Sequence, residues 1–537
     1  MSAQDADLKV IPSTLEFSKL RTFFWPVHRH ELKKLIPMLL IFFLLNFAYN
    51  VLRCMKDTLV VTAEHSGAEI IPFIKVWVMF PTSVLMTYIF IRLSNRYSRE
   101  SVFYVMLSLF LGYFFLFAFA VYPARDFLHP QASADALQAA LPEGLKGFVA
   151  MYRYWTFTSF YVMSELWGNI VLFLLFWGFA NQITKMDEAK RFYGLFGIGI
   201  NFSGIAAGQI SILISHLSFA AGPLISSRDA WGQSLTMLIS LILIAGLLAI
   251  GVFRWLNSVA MKDPLLQNQV NETPQKEKKK LSMRENLRFL TTSKYVLCIA
   301  IIVITYNVVI NLVEILWKQE VRELHPDPLA YNTYMNEITT IIGILATLTS
   351  LFISGNAIRK CGWTFTAMIT PAILLITSVG FFGFFFLKGK TDLVMSLCGI
   401  SPLAIVVFFG SMQNCLSRAA KYTVFDATKE MAFVPLSQDN KIKAKAAIDG
   451  VCNRLGKSSG SVIYQALLVA CSSITACAPY IALALFAMIS IWILSVKSLG
   501  KRFQDLAMGG ANIDDDESSS VATQTAPLDP SPVTVAA

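Results

Sequence analysis

The chain has 537 residues, of which 55% are hydrophobic and 15% are charged, and its mean hydropathy is +0.56. This composition excludes an ordinary soluble domain and indicates a protein that crosses a membrane many times. The net charge of +10 could suggest a nucleic-acid partner, but the basic residues line the loops on one side of the predicted spans, which is a feature of membrane topology. We therefore expect contact with a lipid bilayer and none with nucleic acid.

Residues 1–34 are polar and mix acidic with basic side chains, so they match neither a signal peptide nor a transit peptide. Apolar stretches of about 20 residues follow, the length that a bilayer span requires. There are twelve of them, near 35–55, 70–92, 101–122, 154–180, 192–216, 233–256, 295–318, 334–356, 363–387, 394–416, 446–470 and 477–497. The sequence predicts an all-α polytopic membrane protein with 12 transmembrane helices.

The longest basic loop divides six predicted helices from six. We predict a cytoplasmic N-terminal segment at 1–34, an N-terminal half at 35–256, a basic cytoplasmic linker at 257–294, a C-terminal half at 295–506 and a disordered cytoplasmic tail at 507–537. About 32 of the 45 Lys and Arg residues fall on the side of the termini and about seven on the other. Because cytoplasmic loops are enriched in Lys and Arg, both termini are predicted to be cytoplasmic.

Short internal repeats relate the two halves. Tyr49-Asn50-Val51 recurs as Tyr306-Asn307-Val308, and Asn201-Phe202-Ser203-Gly204 corresponds to Lys457-Ser458-Ser459-Gly460 at nearly the same offset. Two parallel six-helix repeats are the plan of major-facilitator transporters, which bind their substrate at midplane between the halves.

The stretch from Gly450 to Gly460 contains Gly456-Lys457-Ser458, the ending of a phosphate-binding loop. Five residues instead of four separate its first glycine from the Gly-Lys pair, and no hydrophobic strand precedes it. An apolar run follows. We therefore interpret the stretch as the first half of a transmembrane helix that carries a buried lysine.

Six cations lie inside the predicted spans: Arg53, Lys56, Lys75, Lys318, Arg454 and Lys457. A charge at the bilayer centre costs about 2.5–3.5 kcal/mol on insertion scales, so several of them indicate a polar cavity. Snorkelling to the interface is the alternative for Lys75, Lys318 and Arg454, which lie near span ends.

Polar residues form stripes on four of the predicted helices. The first stripe is Asn46, Asn50, Arg53 and Asp57; the seventh helix repeats its spacing with Asn307, Asn311, Glu314 and Lys318; the fourth carries Thr158, Tyr161, Glu165 and Asn169; and the eleventh carries Asp449, Asn453 and Lys457. Such stripes are typical of the wall of a water-filled pathway. Hydrogen bonds between helices are the simpler alternative.

Against the six cations stand four acids: Asp57, Glu165, Glu314 and Asp449. The surplus of positive charge favours a multivalent anion as ligand, and phosphate oxygens suit Lys and Arg well. The residues alone thus predict a transporter of phosphorylated or otherwise strongly anionic solutes.

Longer runs carry a family resemblance. In the N-terminal half they are Lys56-Asp57-Thr58, Ser66-Gly67-Ala68-Glu69-Ile70-Ile71-Pro72-Phe73, Ser164-Glu165-Leu166-Trp167-Gly168, Phe176-Trp177-Gly178-Phe179-Ala180-Asn181-Gln182-Ile183-Thr184 and Asp187-Glu188-Ala189-Lys190. In the C-terminal half they are Asn311-Leu312-Val313-Glu314, Trp317-Lys318, Ala420-Lys421-Tyr422, Lys429-Glu430-Met431-Ala432, Lys445-Ala446-Ala447-Ile448-Asp449 and Leu455-Gly456-Lys457-Ser458. These runs resemble the ATP/ADP translocases of plastids and obligate intracellular bacteria, which are unrelated to the mitochondrial carrier.

The resemblance implies a twelve-helix carrier of major-facilitator type that exchanges ATP for ADP, with Lys56, Glu165, Glu314 and Lys457 important for transport. We expect Lys56 and Lys457 to clamp the phosphates, with further substrate contacts from Arg53, Lys318, Asn453 and Arg454. Glu165, Glu314 and Asp449 are the expected coupling residues. No cofactor or metal is expected, and phosphate is a candidate for a second transported solute. The carrier is expected to act as a monomer in a bacterial inner membrane.

Other functions remain open at this point. Relatives with similar motifs include nucleotide/proton symporters, in which Glu165 or Glu314 would carry the proton, and NAD carriers. A membrane ATPase that uses the Gly-Lys-Ser stretch is the alternative from another class, and it predicts phosphate release from ATP. A purely structural membrane protein fits the composition but leaves the polar stripes unexplained.

Overall fold

The computed structural model describes residues 27–28, 31–184, 186–220, 229–258, 293–352, 354–388 and 399–507, and these residues form helices without any strand. The principal helices are α1 (Leu32–Val61), α2 (Ile70–Arg96), α3 (Arg99–Val121), α4 (Trp155–Asn181), α5 (Met186–Ala220), α6 (Ala230–Ser258), α7 (Lys294–Leu324), α8 (Pro328–Phe352), α9 (Gly362–Leu387), α10 (Pro402–Ala432), α11 (438–471) and α12 (Ile474–Ala507). The predicted all-α class is confirmed. The predicted linker and tail lie almost wholly outside the described residues.

Ten of these helices are long and apolar enough to cross a membrane. The other two, α8 and α11, lie where spans were predicted but are not among these ten, so the count of twelve spans stays a prediction. Several predicted ends differ from the structure by six residues or more, and two of them concern charged residues inside the bundle. We predicted that α1 ends near residue 55 and α10 near 416, whereas the helices continue to Val61 and Ala432. Each prediction stopped beside a cation, Lys56 or Arg418, that the fold accommodates inside the helix bundle.

The two halves share one packing pattern. α1 lies against α4, α5 and α6, and α7 lies against α10, α11 and α12 in the same relation. In each half a tryptophan and a glycine lie at a contact of the central helix, between α1 and α4 in one half and between α7 and α10 in the other. Trp167 Nε1 donates to the Leu45 carbonyl at 3.1 Å, with Gly168 packed on Tyr49; in the other half Trp317 Nε1 donates to Ser411 Oγ at 3.1 Å. The repeat noticed in the sequence thus corresponds to a repeat in packing.

The stretch that resembles a phosphate-binding loop is a helix-packing surface of α11. A methyl group on Gly456 would lie 2.8 Å from the Cβ of Asn307, and one on Gly460 would lie 3.0 Å from the Cβ of Asn311. Two glycines four residues apart allow helices inside a membrane to approach closely. These glycines therefore allow α11 to pack closely against α7. The close contact determines the position of the polar stripe of α7 along the axis of α11.

Several helices contain π-helical segments. They occur in α2 at Ile74–Met79, in α4 at Trp167–Phe176, in α10 at Lys421–Phe425 and in α11 at Ile448–Cys452. These four lie at or within two residues of a charged residue, namely Lys75, Glu165, Lys421 or Asp449, whereas a fifth segment, Phe117–Val121 in α3, has no charged residue beside it. Because π-helical turns shift the side chains that follow and are frequent at functional sites, these segments mark the part of the bundle where function is expected.

Several contacts between the halves lie on one side of the membrane, which we call the far side and define by the ends of α1 and α7. Arg322 donates to the Ala63 carbonyl at 3.4 Å, and Gln319 Oε1 accepts from the backbone N–H of Ala68 at 3.1 Å. The α3–α4 connection adds a third contact, because Gly144 packs directly on the backbone of Leu468 in α11. The structure is therefore closed between the halves on the far side.

On the terminal side, where α1 and α7 begin, ion pairs join residues of the same half. Lys34 in α1 pairs with Glu188 in α5 at 2.6 Å, and Lys429 in α10 pairs with Asp449 in α11 at 2.9 Å. These two bonds therefore join helices of one half to each other.

Near the middle of the bundle the halves meet along α5 and α8. A side chain on Gly208 would overlap the Thr340 hydroxyl at 2.1 Å and the Asn336 carbonyl at 2.7 Å. Gly343 on α8 is equally close to the Asn201 carbonyl, at 2.9 Å. Small residues thus permit backbone contact between the halves.

Gly208→Val is expected to destabilise the protein because a backbone carbonyl, which cannot rotate away, blocks the new side chain. Overpacking of this kind typically costs about 1–3 kcal/mol. Thermal unfolding of the purified protein in detergent measures the effect. Gly197→Val on the same helix is the matched control, because no atom lies within 4 Å of the added carbon. Equal unfolding temperatures for the two variants would contradict the packing described.

Candidate functional site

A continuous chain of six ionised side chains crosses the centre of the protein. Its members, in order of contact, are Glu165, Lys56, Asp57, Lys318, Glu314 and Arg418. We call it the ion chain. Its first three members belong to α1 and α4, and its last three belong to α7 and α10. Every link is between 2.8 and 3.2 Å, so each carboxylate contacts at least one cation.

Asp57 is the central link, because one carboxylate contacts lysines from both halves. Its Oδ1 accepts from Lys56 Nζ at 2.8 Å and its Oδ2 lies 2.9 Å from Lys318 Nζ. The three residues are between 1% and 3% exposed. A buried ion pair is tolerated only when each charge keeps its partner, and removal of one partner typically costs about 3–5 kcal/mol. The contact between Asp57 and Lys318 is therefore a strong electrostatic bond between the halves.

The ion pairs at the two ends of the chain have similar geometry, since each places a glutamate about 3 Å from a buried lysine. Glu165 lies 3.0 Å from Lys56, whose ammonium also stands 4.0 Å from the centre of the Tyr161 ring. Glu314 lies 3.0 Å from Lys318, one helical turn away, and 3.2 Å from Arg418. The outer residues are partly exposed, at 15% to 23% of the side chain, so anions can approach the chain from its ends.

Local packing explains why these side chains meet. Trp167 and Gly168 pack α4 against α1 within one turn of Glu165. This packing directs the Glu165 carboxylate toward Lys56. Gly410 packs under the Trp317 ring and seats α10 on α7, so that Arg418, about two turns further on, reaches Glu314. The two buried tryptophans thus position the helices that carry the charged side chains of the ion chain.

Several asparagines of the predicted stripes make hydrogen bonds within their own helix. The Asn46 amide donates to the Phe42 carbonyl at 2.8 Å, and Asn307 donates to Val303 at 2.8 Å. Asn50 donates to Asn46 and also to Ser203 of α5. Bonds within one helix therefore account for most of these contacts, and the bond from Asn50 to Ser203 is the interhelical kind that the simpler alternative predicts.

The structure brings four of the predicted site residues together in the ion chain: Lys56, Glu165, Glu314 and Lys318. Three others lie on α11 and outside that chain. Arg454 and Lys457 have exposed side chains, and Asp449 is bonded to Lys429. Arg53 and Asn453 are half-buried. The expected contact between Lys56 and Lys457 across a substrate stays a prediction.

Two members of the ion chain were not among the predicted site residues. Asp57 had been counted only as a counter-charge, yet its position next to Lys56 in the stripe of α1 was a usable signal. Arg418 was missed because the predicted span ended at residue 416. The run from Ala419 to Phe425 is apolar apart from Lys421, which is the signal that the helix continues.

Comparisons with known proteins agree with the geometry. The profile of a family described as the TLC ATP/ADP transporter matches residues 12–503. The chain belongs to this family. Among its TLC relatives, the "ADP,ATP carrier protein 1" of Chlamydia muridarum is 45% identical over 487 residues, which is 91% of this chain and 92% of that protein. The "ADP,ATP carrier protein 1, chloroplastic" of Arabidopsis thaliana is 41% identical over 475 residues, or 88% of this chain and 74% of that protein.

Solved structures support the major-facilitator-like fold of this TLC member. A D-xylose-proton symporter has a TM-score of 0.50 at 13% identity and covers 90% of this chain and 99% of its own. A bacterial homologue of the iron transporter ferroportin, in an inward-facing state, has a TM-score of 0.50 at 14% identity, with 87% and 98% covered. At these identities the likeness concerns the fold alone.

Asp57→Asn is expected to lower the free energy of unfolding by about 3–5 kcal/mol, because it leaves Lys56 and Lys318 buried with one negative charge fewer. Lys318→Gln in the same chain should restore part of the loss, since the second unmatched charge disappears with it. Denaturation of the wild type, both single variants and the double variant measures this coupling.

The control is Asp126→Asn. Asp126 lies 3.7 Å from Arg125, the two side chains are 91% and 28% exposed, and ion pairs in contact with water contribute less than about 1 kcal/mol. If Asp57→Asn and Asp126→Asn have equal effects, the ion chain is not the buried electrostatic contact described.

Proposed function

We propose that this protein is an ATP/ADP antiporter, a membrane carrier and not an enzyme, that works by alternating access between its two halves. The observation that carries the proposal is the ion chain, in which lysines of both halves share one carboxylate at the centre of the bundle. The names of the TLC relatives support ATP and ADP as the exchanged substrates.

Phosphate oxygens can replace the carboxylates of the ion chain. A nucleotide brings several negative charges into a chain that is neutral by itself, with three cations and three carboxylates. Lys56 and Lys318 would then turn from Asp57 to the phosphates, because charge-assisted bonds to phosphate are of similar strength. Loss of the contact between Asp57 and Lys318 removes one bond that closes the far side.

The same chain explains why the carrier should exchange rather than leak. Without a nucleotide, opening the far side would break the bond between Lys318 and Asp57, and each of these buried charges would keep only one of its two partners, which is costly. Only a loaded carrier has another partner for these groups. An empty carrier therefore waits for the next substrate, which is the requirement for strict counter-exchange.

The proposal assigns the remaining site residues as follows. Lys56 and Lys457 clamp the phosphates from opposite halves, with Arg53, Lys318, Asn453 and Arg454 as further substrate contacts. Glu165 and Glu314 hold the lysines when the site is empty, and Asp449 acts in coupling on the terminal side through its bond to Lys429. We further propose that the carrier acts as a monomer.

We place the carrier in the inner membrane of a bacterium, with both termini in the cytoplasm. The excess of Lys and Arg in the loops of the terminal side supports this orientation. The bacterial setting is supported by the chlamydial relatives, although plastid relatives occur in the same family.

A proton symporter is less well supported by the geometry. It requires a carboxylate that gains and loses a proton, whereas Glu165 and Glu314 each lie about 3 Å from a cation that favours the ionised form. No observation on the described residues favours an NAD carrier over an ATP/ADP carrier.

Counter-exchange by the purified protein in proteoliposomes tests the function. We expect uptake of labelled ATP only into vesicles that contain ADP or ATP, with no phosphate release from ATP and little competition by excess NAD. Vesicles without protein are the control. Uptake into empty vesicles driven by an imposed pH gradient would instead identify a proton symporter, and strong competition by NAD would identify an NAD carrier.

Glu314→Gln is expected to loosen the coupling, because Lys318 and Arg418 lose the carboxylate that holds them in the empty carrier. Labelled ATP should then enter vesicles that contain no nucleotide. The matched control is Glu323→Gln, on the same helix, which pairs with Lys388 at the far side, lies outside the ion chain and should keep strict exchange. A Glu314→Gln carrier that shows no leak would refute this role.

A further inference from the structure

Lys75 is a cation of the central region that does not belong to the ion chain. It lies in the π-helical segment of α2 and is half-buried. Its ammonium donates to Asn311 Oδ1 on α7 at 2.9 Å, so this bond also joins the two halves.

The acceptor of this bond is held in place from the other side. Asn311 Nδ2 donates to the Lys457 carbonyl at 2.6 Å and to Ser461 Oγ at 3.2 Å, both on α11. Gly460 packs against the Asn311 side chain and allows this approach. The two donated bonds fix the amide orientation, and its oxygen therefore points at Lys75.

The partner of Lys75 is neutral, and this distinguishes it from the cations of the ion chain. Lys56 and Lys318 each contact two carboxylates and Arg418 contacts one. In the part of the chain that the structure describes, no carboxylate lies within ion-pairing distance of Lys75. An amide oxygen satisfies a hydrogen bond but leaves the positive charge uncompensated.

A purely structural role explains the bond poorly. A glutamine at this position could make the same hydrogen bond between α2 and α7 without the desolvation cost of a charge. Snorkelling also fails, since the ammonium is directed inward to Asn311 and not along the helix to the interface. What a charge adds at this place is attraction for an anion.

We infer that Lys75 forms a phosphate subsite, in which its ammonium leaves Asn311 and binds a phosphate oxygen of the nucleotide. This inference rests on the proposed function. Because the ion chain is neutral, Lys75 supplies positive charge that the substrate itself compensates. The gain grows with the charge of the phosphate chain, so Lys75 favours ATP and ADP over AMP and acts as a specificity-determining residue.

The test compares the affinities of full-length protein in detergent for ATP, ADP and AMP by calorimetry. Lys75→Gln should weaken binding of ATP by about tenfold or more, since hydrogen bonds to charged groups have this strength, and binding of AMP by clearly less. Lys75→Arg should retain most of the preference for ATP, because a guanidinium also binds phosphate. Lys501→Gln, which removes an exposed positive charge at the end of α12, is the matched control and should bind as the wild type does.

A second variant keeps the inference testable if Lys75→Gln does not fold. Asn311→Asp places a carboxylate beside Lys75 and should lower the affinity for ATP more than that for AMP. An equal loss for all three nucleotides, or no loss, in the folded variants overturns the inference. The outcome for the proposed function is separate, because that proposal fails only if the wild-type protein neither binds nor exchanges ATP and ADP.

Discussion

One carboxylate, Asp57, is bonded to a lysine of each half, and the arrangement of the central helices depends on it. The two bonds are short and almost completely buried. Inside a membrane protein neither charge can turn to water when its partner leaves, so the contact between the halves is strong as long as nothing replaces it. A replacement for either carboxylate contact must be anionic. The ion pairs of the protein without substrate are thus related to the transport of a polyphosphate, because a polyphosphate is an anion of this kind.

The rest of the structure supports that contact from both sides. Tryptophan and glycine pairs seat α4 on α1 and α10 on α7, and two glycines seat α11 on α7. On the far side the halves are joined by bonds between backbone and side chains, such as Arg322 to Ala63. On the terminal side the named ion pairs stay within one half. Helices within each half are thus packed on one another, and the ion chain joins the two halves.

Much of this could be predicted from the sequence because a charge inside an apolar stretch is a rare event with few explanations. Lys56, Glu165, Glu314 and Lys318 were recognised in this way, and all four meet in the ion chain. Which lysine contacts which acid could not be predicted, because those contacts depend on how the helices are seated. Arg418 was missed since a span was assumed to end at a charge. The glycines beside Lys457 suggested a loop, although glycines four residues apart serve equally well to pack two helices.

The most direct measurement of the central claim is the distance across the far side. Spin labels at Glu64 and Thr475, which are exposed and lie on opposite halves, report it by pulsed electron resonance once accessible native cysteines are replaced. The account predicts a short distance without nucleotide, an added longer population with ATP, and a longer population without any nucleotide in Asp57→Asn. A distance distribution in Asp57→Asn that equals that of the nucleotide-free wild type would contradict it.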